Sequence, residues 1–367
     1  MNHDEKKADV LVVTRHFAER WGGGEHSLAA VIEEFQAARP DWRWRISDGG
    51  FDPPGRLRPL PLFQLLRHRG ALRREAASFN HNHNHNHNHH QGRLALIQSL
   101  VGPAMLNALP SSVVSVYFVR DVRYWDEWPN HETGWRWAAK AGYRLAMAPA
   151  WAAFRYETRQ ALTQASLVVA NSAFMAGRIR AFCGREAMMV YPRTPVAAVP
   201  LAEGTVVGMV GDGADKGGRI LWALAKRFPA VTFRLHVRHP ASRPLPDNVV
   251  LAGWEKDPAR LYQGVRLMLV PSQVAEAYGR VAAEALGHGV PVLASRIGGL
   301  PETLPNLDWT VADPANLEAW CAAFDEAWQS ASARRAEAHA FAVARRIVVD
   351  AQHQQLIKRC LMLVEGA

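Results

Sequence analysis

Cysteine is scarce. The 367 residues hold three, Cys183, Cys321 and Cys360, far apart and without paired spacing. That excludes a disulfide framework and a cysteine zinc site and points to a reducing compartment. No apolar run reaches the roughly 18 residues that a membrane-spanning helix requires. Residues 1–9 are polar and charged, so no secretory leader is expected and a cytoplasmic location is. Internal repeats are absent except for a tract of alternating His and Asn over residues 80–90. Such low complexity cannot build a packed core, so the tract reads as a mobile loop and not as a functional metal site.

Apolar residues are plentiful. At 49% of the chain they suffice for two cores, and the length suggests two domains of about 150 to 200 residues each. Charge is uneven: residues 1–195 carry 25 Lys and Arg against 17 Asp and Glu, and the remainder 18 against 17. A basic first half attracts an anionic partner, whether a membrane leaflet, a phosphorylated acceptor or nucleic acid, or is a solvated basic face.

The chain is organised around Pro271 to Glu302, PSQVAEAYGRVAAEALGHGVPVLASRIGGLPE. The apolar run Arg266 to Val270 before it predicts a buried parallel strand. Gly279 then opens a helix over Arg280 to His288, Gly289 suits the left-handed residue that ends a helix, and Pro291 to Ala294 is a second strand. Glu276 lies in the loop before the helix and Glu284 inside it. Gly298-Gly299 makes a further tight turn that ends in Glu302. This pattern suits a diphosphate-linked ligand. Unpaired N–H groups at a helix N-terminus cradle phosphate, and a glycine there lets the ligand approach the backbone. A carboxylate one turn into the helix can accept hydrogen bonds from a ribose diol, and one in the preceding loop can hold hydroxyls beyond the far phosphate. The alternative is an ordinary strand-helix-strand unit with two surface glutamates.

Pro271-Ser272, Glu276, Tyr278-Gly279, Glu284, Gly289-Val290-Pro291-Val292 and Gly298-Gly299 with Glu302 resemble the motif of the retaining glycosyltransferases of family 4 (glycosyl transferases group 1), which have the GT-B architecture. The resemblance implies an α/β fold of two Rossmann-like domains facing each other across a cleft. It implies a donor site of Lys216, Arg219, Trp254, Glu276, Ala277, Tyr278, Gly279, Arg280 and Glu284, with Gly23 and Gly24 contributing from the first domain. Glu276 would orient donor-sugar hydroxyls, Glu284 would anchor ribose, and Lys216 would hold the diphosphate. Glu276, Lys216 and Asp121 form the implied catalytic set, with Glu25, Arg120 and Asp121 on the acceptor side. Two departures stand out. The arginine that accompanies the lysine in relatives is missing, with Asp212 in that region and Arg219 or Arg280 as candidates to replace it. Many relatives have a histidine where Arg120 stands. No Asp-x-Asp pair of the metal-dependent transferases occurs, so neither metal nor cofactor is expected beyond the nucleotide-sugar donor.

In chain order, Val10 to Thr14 reads as the first strand, followed by Trp21-Gly22-Gly23-Gly24-Glu25 and a helix from about His26 to Ala37. Trp42, Trp44 and Ile46 alternate with arginines as a half-buried strand. Leu60 to Leu66 suggests a short basic helix. Strands are expected at Leu94 to Gln98 and at Val113 to Val119, with a helix-like Ala104 to Ala108 between them. Arg120-Asp121 stands at a strand's carboxyl end, where ligands bind in such sheets; a strand-end salt bridge is the plainer reading. Tyr124 to Tyr156 mixes Trp with Arg and Lys, which suits a lipid-water interface or a packed domain surface. Leu162 to Phe174 resembles the family's last first-domain strand, and Tyr191 to Pro200 its hinge.

Further strands are expected at Val206 to Val210, Thr232 to Val237 and Val249 to Leu251. Helices follow at Asn316 to Ala327, Ser332 to Asp350 and Ala351 to Val364. The expected domains are 1–195, 196–345 and a returning helix at 346–367. The expected function is transfer of a sugar from a nucleoside-diphosphate sugar to an acceptor hydroxyl, in polysaccharide, glycolipid or glycoconjugate synthesis. The acceptor would be an anionic or lipid-linked glycan at the inner face of a membrane. A nucleic-acid-modifying glycosyltransferase and a non-catalytic GT-B binding subunit are the alternatives.

Overall fold

The computed structural model describes residues 8–14, 23–47, 70–77, 79, 92–98, 102–121, 135–237, 244–255 and 257–366. The His-Asn tract, the stretch 60–66 and residues 122–134 lie outside them. The chain divides into two compact units, 1–191 with 351–367, and 192–350.

The first unit is built on a parallel sheet ordered β2-β1-β3-β4-β5-β6. Its strands are β1 (Val10–Val13), β2 (Trp44–Ser47), β3 (Leu94–Gln98), β4 (Val114–Val119), β5 (Leu167–Ala170) and β6 (Met188–Met189). β1, β3 and β4 are buried throughout, as continuous apolar runs in a parallel sheet should be. Helix α1 (Gly23–Ala38) packs Leu28, Val31, Ile32 and Phe35 on one face of the sheet. A helical stretch over residues 70–77 is α2; α3 (Gly102–Leu106), α4 (Trp135–Gln164) and α5 (Ala173–Cys183) follow. Ser172 caps α5 by accepting a hydrogen bond from the Met175 N–H at 3.0 Å.

The second unit repeats the plan, with a parallel sheet ordered β12-β11-β10-β7-β8-β9. β7 (Val206–Val210), β8 (Thr232–His236), β9 (Val249–Ala252), β10 (Val265–Val270), β11 (Val292–Ser295) and β12 (Thr310–Val311) are its strands. α6 (Gly218–Arg227) follows β7, α7 (Pro258–Tyr262) precedes β10, and α8 (Arg280–Gly287) connects β10 to β11. Gly289 does end α8 in the left-handed conformation at φ 74°, and the Val290 N–H donates back to the Ala285 carbonyl at 2.9 Å.

Three elements differ from expectation. The three C-terminal helices are one, α9 (Leu317–Glu365), a single helix of 49 residues. The gap expected between Ala327 and Ser332 contains neither Gly nor Pro, and within it Ser330 donates to the Glu326 carbonyl at 2.7 Å as part of the continuous helix. The last strand of the first unit is β6, not β5. β6 and β12 span two residues each, too few for any periodicity to show.

α9 belongs to both units, because the second ends at Asp350 and residues 351–367 complete the first. Leu356 and Cys360 lie in the first unit's core with Val10, Val12 and Phe35. In the same unit His353 places Nδ1 3.2 Å from Glu34 and Nε2 3.1 Å from the Tyr191 carbonyl. Within the second unit, Arg193 and Arg346 both donate to Asp350, at 2.7 and 2.8 Å, so the segments entering and leaving that unit are tied together. Leu356→Ala should therefore destabilise the first unit by about 2–5 kcal/mol through a core cavity, although much of that core, Val10 and Phe35 included, is far away along the chain. Urea denaturation followed by a probe in residues 1–191 measures this loss.

Candidate functional site

Parallel sheets of this kind bind ligands outside the carboxyl ends of their strands, where the strand order reverses. In the second unit that point is between β7 and β10, which are neighbours although β8 and β9 lie between them in sequence. The two loops leaving those strands are packed backbone on backbone. Gly217, at φ 80°, has no room for a side chain, because a Cβ there would lie 2.0 Å from the Pro271 carbonyl oxygen. The Gln273 N–H donates to the Asp215 carbonyl at 2.8 Å across the same seam. Each loop then enters a helix whose cap residue is a glycine, Gly217 for α6 and Gly279 for α8, so neither helix has a capping side chain. Two sets of N-terminal N–H groups thus stand at adjacent strand ends, each stabilising a nearby anion by roughly 0.3–1 kcal/mol when exposed and up to about 2 when partly buried.

The charged groups sit across this seam. The Lys216 Nζ donates to Glu276 Oε1 at 2.7 Å, and the Ser272 hydroxyl, itself 1% exposed, donates to the same oxygen at 2.5 Å. The lysine side chain is 43% exposed. An ion pair so open is worth about 0–1 kcal/mol, so an arriving phosphate can draw the lysine away at little cost. One turn into α8, Arg280 donates to Glu284 Oε1 at 2.6 Å. The Tyr262 hydroxyl lies 3.3 Å from Glu284 Oε2 and 3.1 Å from the Val281 carbonyl. Burial, followed by the Glu284 charge, raises the Tyr262 phenol well above its ordinary range, so it stays protonated and can donate. Tyr262 also stacks on His288 at 5.2 Å.

A third loop fixes the second. Gly298 has φ 61°, and a Cβ there would meet the Glu276 carbonyl oxygen at 2.4 Å; one on Gly299 would meet the Ala277 oxygen at 2.6 Å. The Gly299 N–H donates to the Glu276 carbonyl at 2.8 Å. Gly279 has φ 120° and fits closely over Leu300. Its missing side chain therefore faces protein. Tyr278 is 4% exposed, so its ring is chiefly a packing element, whereas Ala277 is partly exposed.

Arg219 is exposed on the first turn of α6. Trp254 is 46% exposed just past the edge strand β9. His236, at the carboxyl end of the intervening β8, was not foreseen. Its ring is 4% exposed, Nδ1 faces the Gly253 carbonyl at 3.3 Å, and Nε2 is buried without a hydrogen-bond partner. Burial lowers its pKa, which favours the neutral imidazole.

In the first unit the strand order reverses between β1 and β3. Gly23 and Gly24 begin α1 there, and a Cβ on Gly24 would lie 2.9 Å from Gln98 Nε2 at the end of β3. Arg120 donates to the Gly24 carbonyl at 2.7 Å and lies over the Phe118 ring. It anchors Gly23 and Gly24 at the start of α1. Glu25 is partly buried in the first turn of α1, and Asp121 partly buried just past β4.

Comparison with known proteins agrees with this geometry. Residues 232–330 match the family model described as Glycosyl transferases group 1. That match lies wholly within the second unit. A 70-residue stretch is 37% identical to D-inositol 3-phosphate glycosyltransferase of Mycobacterium marinum; it is 19% of this chain and spans 15% of that relative's length. Sucrose-phosphate synthase from Thermosynechococcus elongatus superposes with a TM-score of 0.71 at 17% identity, over 98% of this chain and 99% of that one. Anabaena HepE in complex with UDP and glucose superposes with a TM-score of 0.64 at 18% identity, over 96% and 99%. The chain has the GT-B fold.

The packing of Gly298 on Glu276 makes a direct prediction. Gly298→Ala should lower the thermal midpoint by several degrees, since it combines backbone strain with a clash against backbone. Gly177→Ala, in the middle of α5 with open space around its Cβ position, should leave it unchanged or raise it. Differential scanning calorimetry of the two variants beside the parent separates these outcomes.

Proposed function

We propose that this glycosyltransferase is retaining and metal-independent, and moves a sugar from a nucleoside-diphosphate sugar to an acceptor hydroxyl in polysaccharide, glycolipid or glycoconjugate synthesis. The observation that carries the reading is the pair of glycine-capped helix N-termini at the β7/β10 reversal, with Lys216 and Glu276 2.7 Å apart between them. The diphosphate would lie against the N-terminus of α8, and Lys216 would leave Glu276 to neutralise it. Glu276 would then be released toward donor-sugar hydroxyls, while Ser272 continues to hold one of its oxygens. Glu284, fixed by Arg280 and Tyr262, would present its carboxylate to the ribose diol. Departure of the diphosphate and attack of the acceptor take place on one face of the sugar, through an oxocarbenium-like state, and the leaving phosphate takes the acceptor proton. No protein nucleophile is required. Asp121, with Glu25 and Arg120, would serve the acceptor in the first unit.

Lys216 and the two helix N-termini supply the positive charge that a metal ion would otherwise bring to the leaving group, so no metal is invoked. Arg280 is the better candidate for the missing arginine, since it stands at the first residue of α8 whereas Arg219 is on the exposed turn of α6. UDP-glucose is the first donor to test, because HepE was crystallised with it.

The test is a panel of UDP-, GDP-, ADP- and dTDP-sugars, scored for binding and slow hydrolysis. One of them should bind and be hydrolysed. Glu284→Ala should abolish binding, and Lys216→Ala should lower turnover about 10²–10³-fold, the usual consequence of removing one charge-stabilising donor. If no nucleotide sugar binds, the chain is a binding subunit and the transferase reading fails.

The acceptor we propose is an anionic or lipid-linked glycan reached at an anionic membrane surface. On α4, Leu145, Pro149, Ala152 and Tyr156 follow one another at helical spacing and are exposed, Leu145 at 79% and Tyr156 at 64%, beside the exposed Arg155 and Arg159. Apolar side chains flanked by arginines suit the headgroup boundary. No helix among the described residues is long and apolar enough to cross a membrane. The parent should sediment with vesicles containing phosphatidylglycerol, less so as salt rises, and Leu145→Asp should stay in the supernatant; equal sedimentation of the two removes this surface from the reading.

A further inference from the structure

Arg345 lies on α9, outside every motif that defines the site, yet it ends on the turn that holds the donor loop in place. Its Nη2 donates to the carbonyl of Glu302 at 2.6 Å. Glu302 belongs to the short 3₁₀ helix Leu300–Thr303, whose last carbonyls have no partner further along the helix. A guanidinium there does what a C-terminal cap does, and it fixes the helix against α9.

That short helix is the floor of the site. Leu300 lies directly under Gly279, the cap residue of α8, and the Gly299 N–H holds the Glu276 carbonyl. Tyr278, Thr303, Phe341 and Arg345 line a common cavity of about 20 Å³, room for one water. The contacts therefore run without a gap from Arg345 through Glu302 and Leu300 to the backbone of Glu276 and Gly279. We infer that Arg345 is a positioning residue for the nucleotide-sugar loop, setting the donor carboxylate and the N-terminus of α8 from below. This rests on the donor reading of residues 276–284. The family resemblance draws attention to Glu302 itself, and the structure shows that its carbonyl receives Arg345.

The experiment pairs Arg345→Met, which keeps most of the stem, with Arg345→Lys, which restores a donor, and uses Arg359→Met, an exposed arginine further along α9, as the control. Hydrogen–deuterium exchange reads the backbone of 276–279 directly, with the buried strand β10 as internal reference. Arg345→Met should speed exchange across 276–279 and 300–303 by about tenfold, the weight of one charge-assisted hydrogen bond. β10 should be unaffected, Arg345→Lys should recover part of the protection, and the control should match the parent. UDP affinity measured by calorimetry on the same samples should fall about tenfold in Arg345→Met. Unchanged exchange over 276–279 overturns the inference whatever the nucleotide does, and so does faster exchange that spreads equally into β10. If exchange rises as expected but the parent binds no nucleoside diphosphate, the positioning role stands and the transferase reading fails.

Discussion

The site depends on one steric constraint: three loops at one edge of the second sheet touch through their backbones. Where a Cβ would point straight at the neighbouring loop's main chain it must be absent, as it is at Gly217, Gly298 and Gly299. Each of these glycines faces a carbonyl of a neighbouring loop at a distance no side chain tolerates. The glycines serve the close approach of protein to protein. With the loops locked in this way, the N-termini of α6 and α8 are held at fixed positions beside adjacent strands, and any ligand meets a preformed surface.

The electrostatics follow from that placement. Two helix N-termini without capping side chains, with Lys216 and Arg280 beside them, concentrate positive potential at the strand reversal. Left uncompensated, this would repel its own components, and the two glutamates prevent that. Glu276 takes the lysine and a buried serine hydroxyl, and Glu284 takes the arginine and the Tyr262 hydroxyl. The difference in environment separates their roles. Glu276 shares its oxygen with a lysine that is 43% exposed and readily drawn off, whereas Glu284 is tied to an arginine whose side chain is 19% exposed and to a buried phenol. One carboxylate is poised to change partner and the other is a fixed acceptor.

Much of this was legible in the sequence because it is local. The strand over Arg266 to Val270, the glycine at the helix entrance and the left-handed Gly289 are separated by a few residues each and obey short-range rules. What escaped is long-range or too short. Tyr262 precedes Glu284 by 22 residues and meets it only because α7 and α8 flank β10. Arg345 reaches Glu302 across 43 residues, and nothing in its own neighbourhood marks it out from Arg346. β6 and β12 are too brief to show a period. The continuity of α9 was missed although the local sequence lacks the glycine or proline that would end a helix.

The two units solve the same topological problem with different degrees of closure. In the second, most polar groups around the reversal are matched to one another, and His236 Nε2, at the end of β8, and Ser295 Oγ, at the end of β11, are the buried atoms left over at the strand ends among the described residues. In the first, the carboxyl edge is left unbalanced. Thr14 follows β1, Gln98 ends β3 and Asn171 follows β5, and each buries an oxygen that has no hydrogen-bond partner. Arg120, which ends the row on β4, is turned to the Gly24 carbonyl. Buried oxygens left unpaired cost about 1–3 kcal/mol each, and a fold tolerates such a row where the requirement is set by something other than its own stability. An edge lined with acceptors suits hydroxyl-rich partners, and the second unit's edge, lined with N–H groups and cations, suits phosphate. The difference in polarity between the two edges follows from which atoms each sheet leaves unmatched at its carboxyl end.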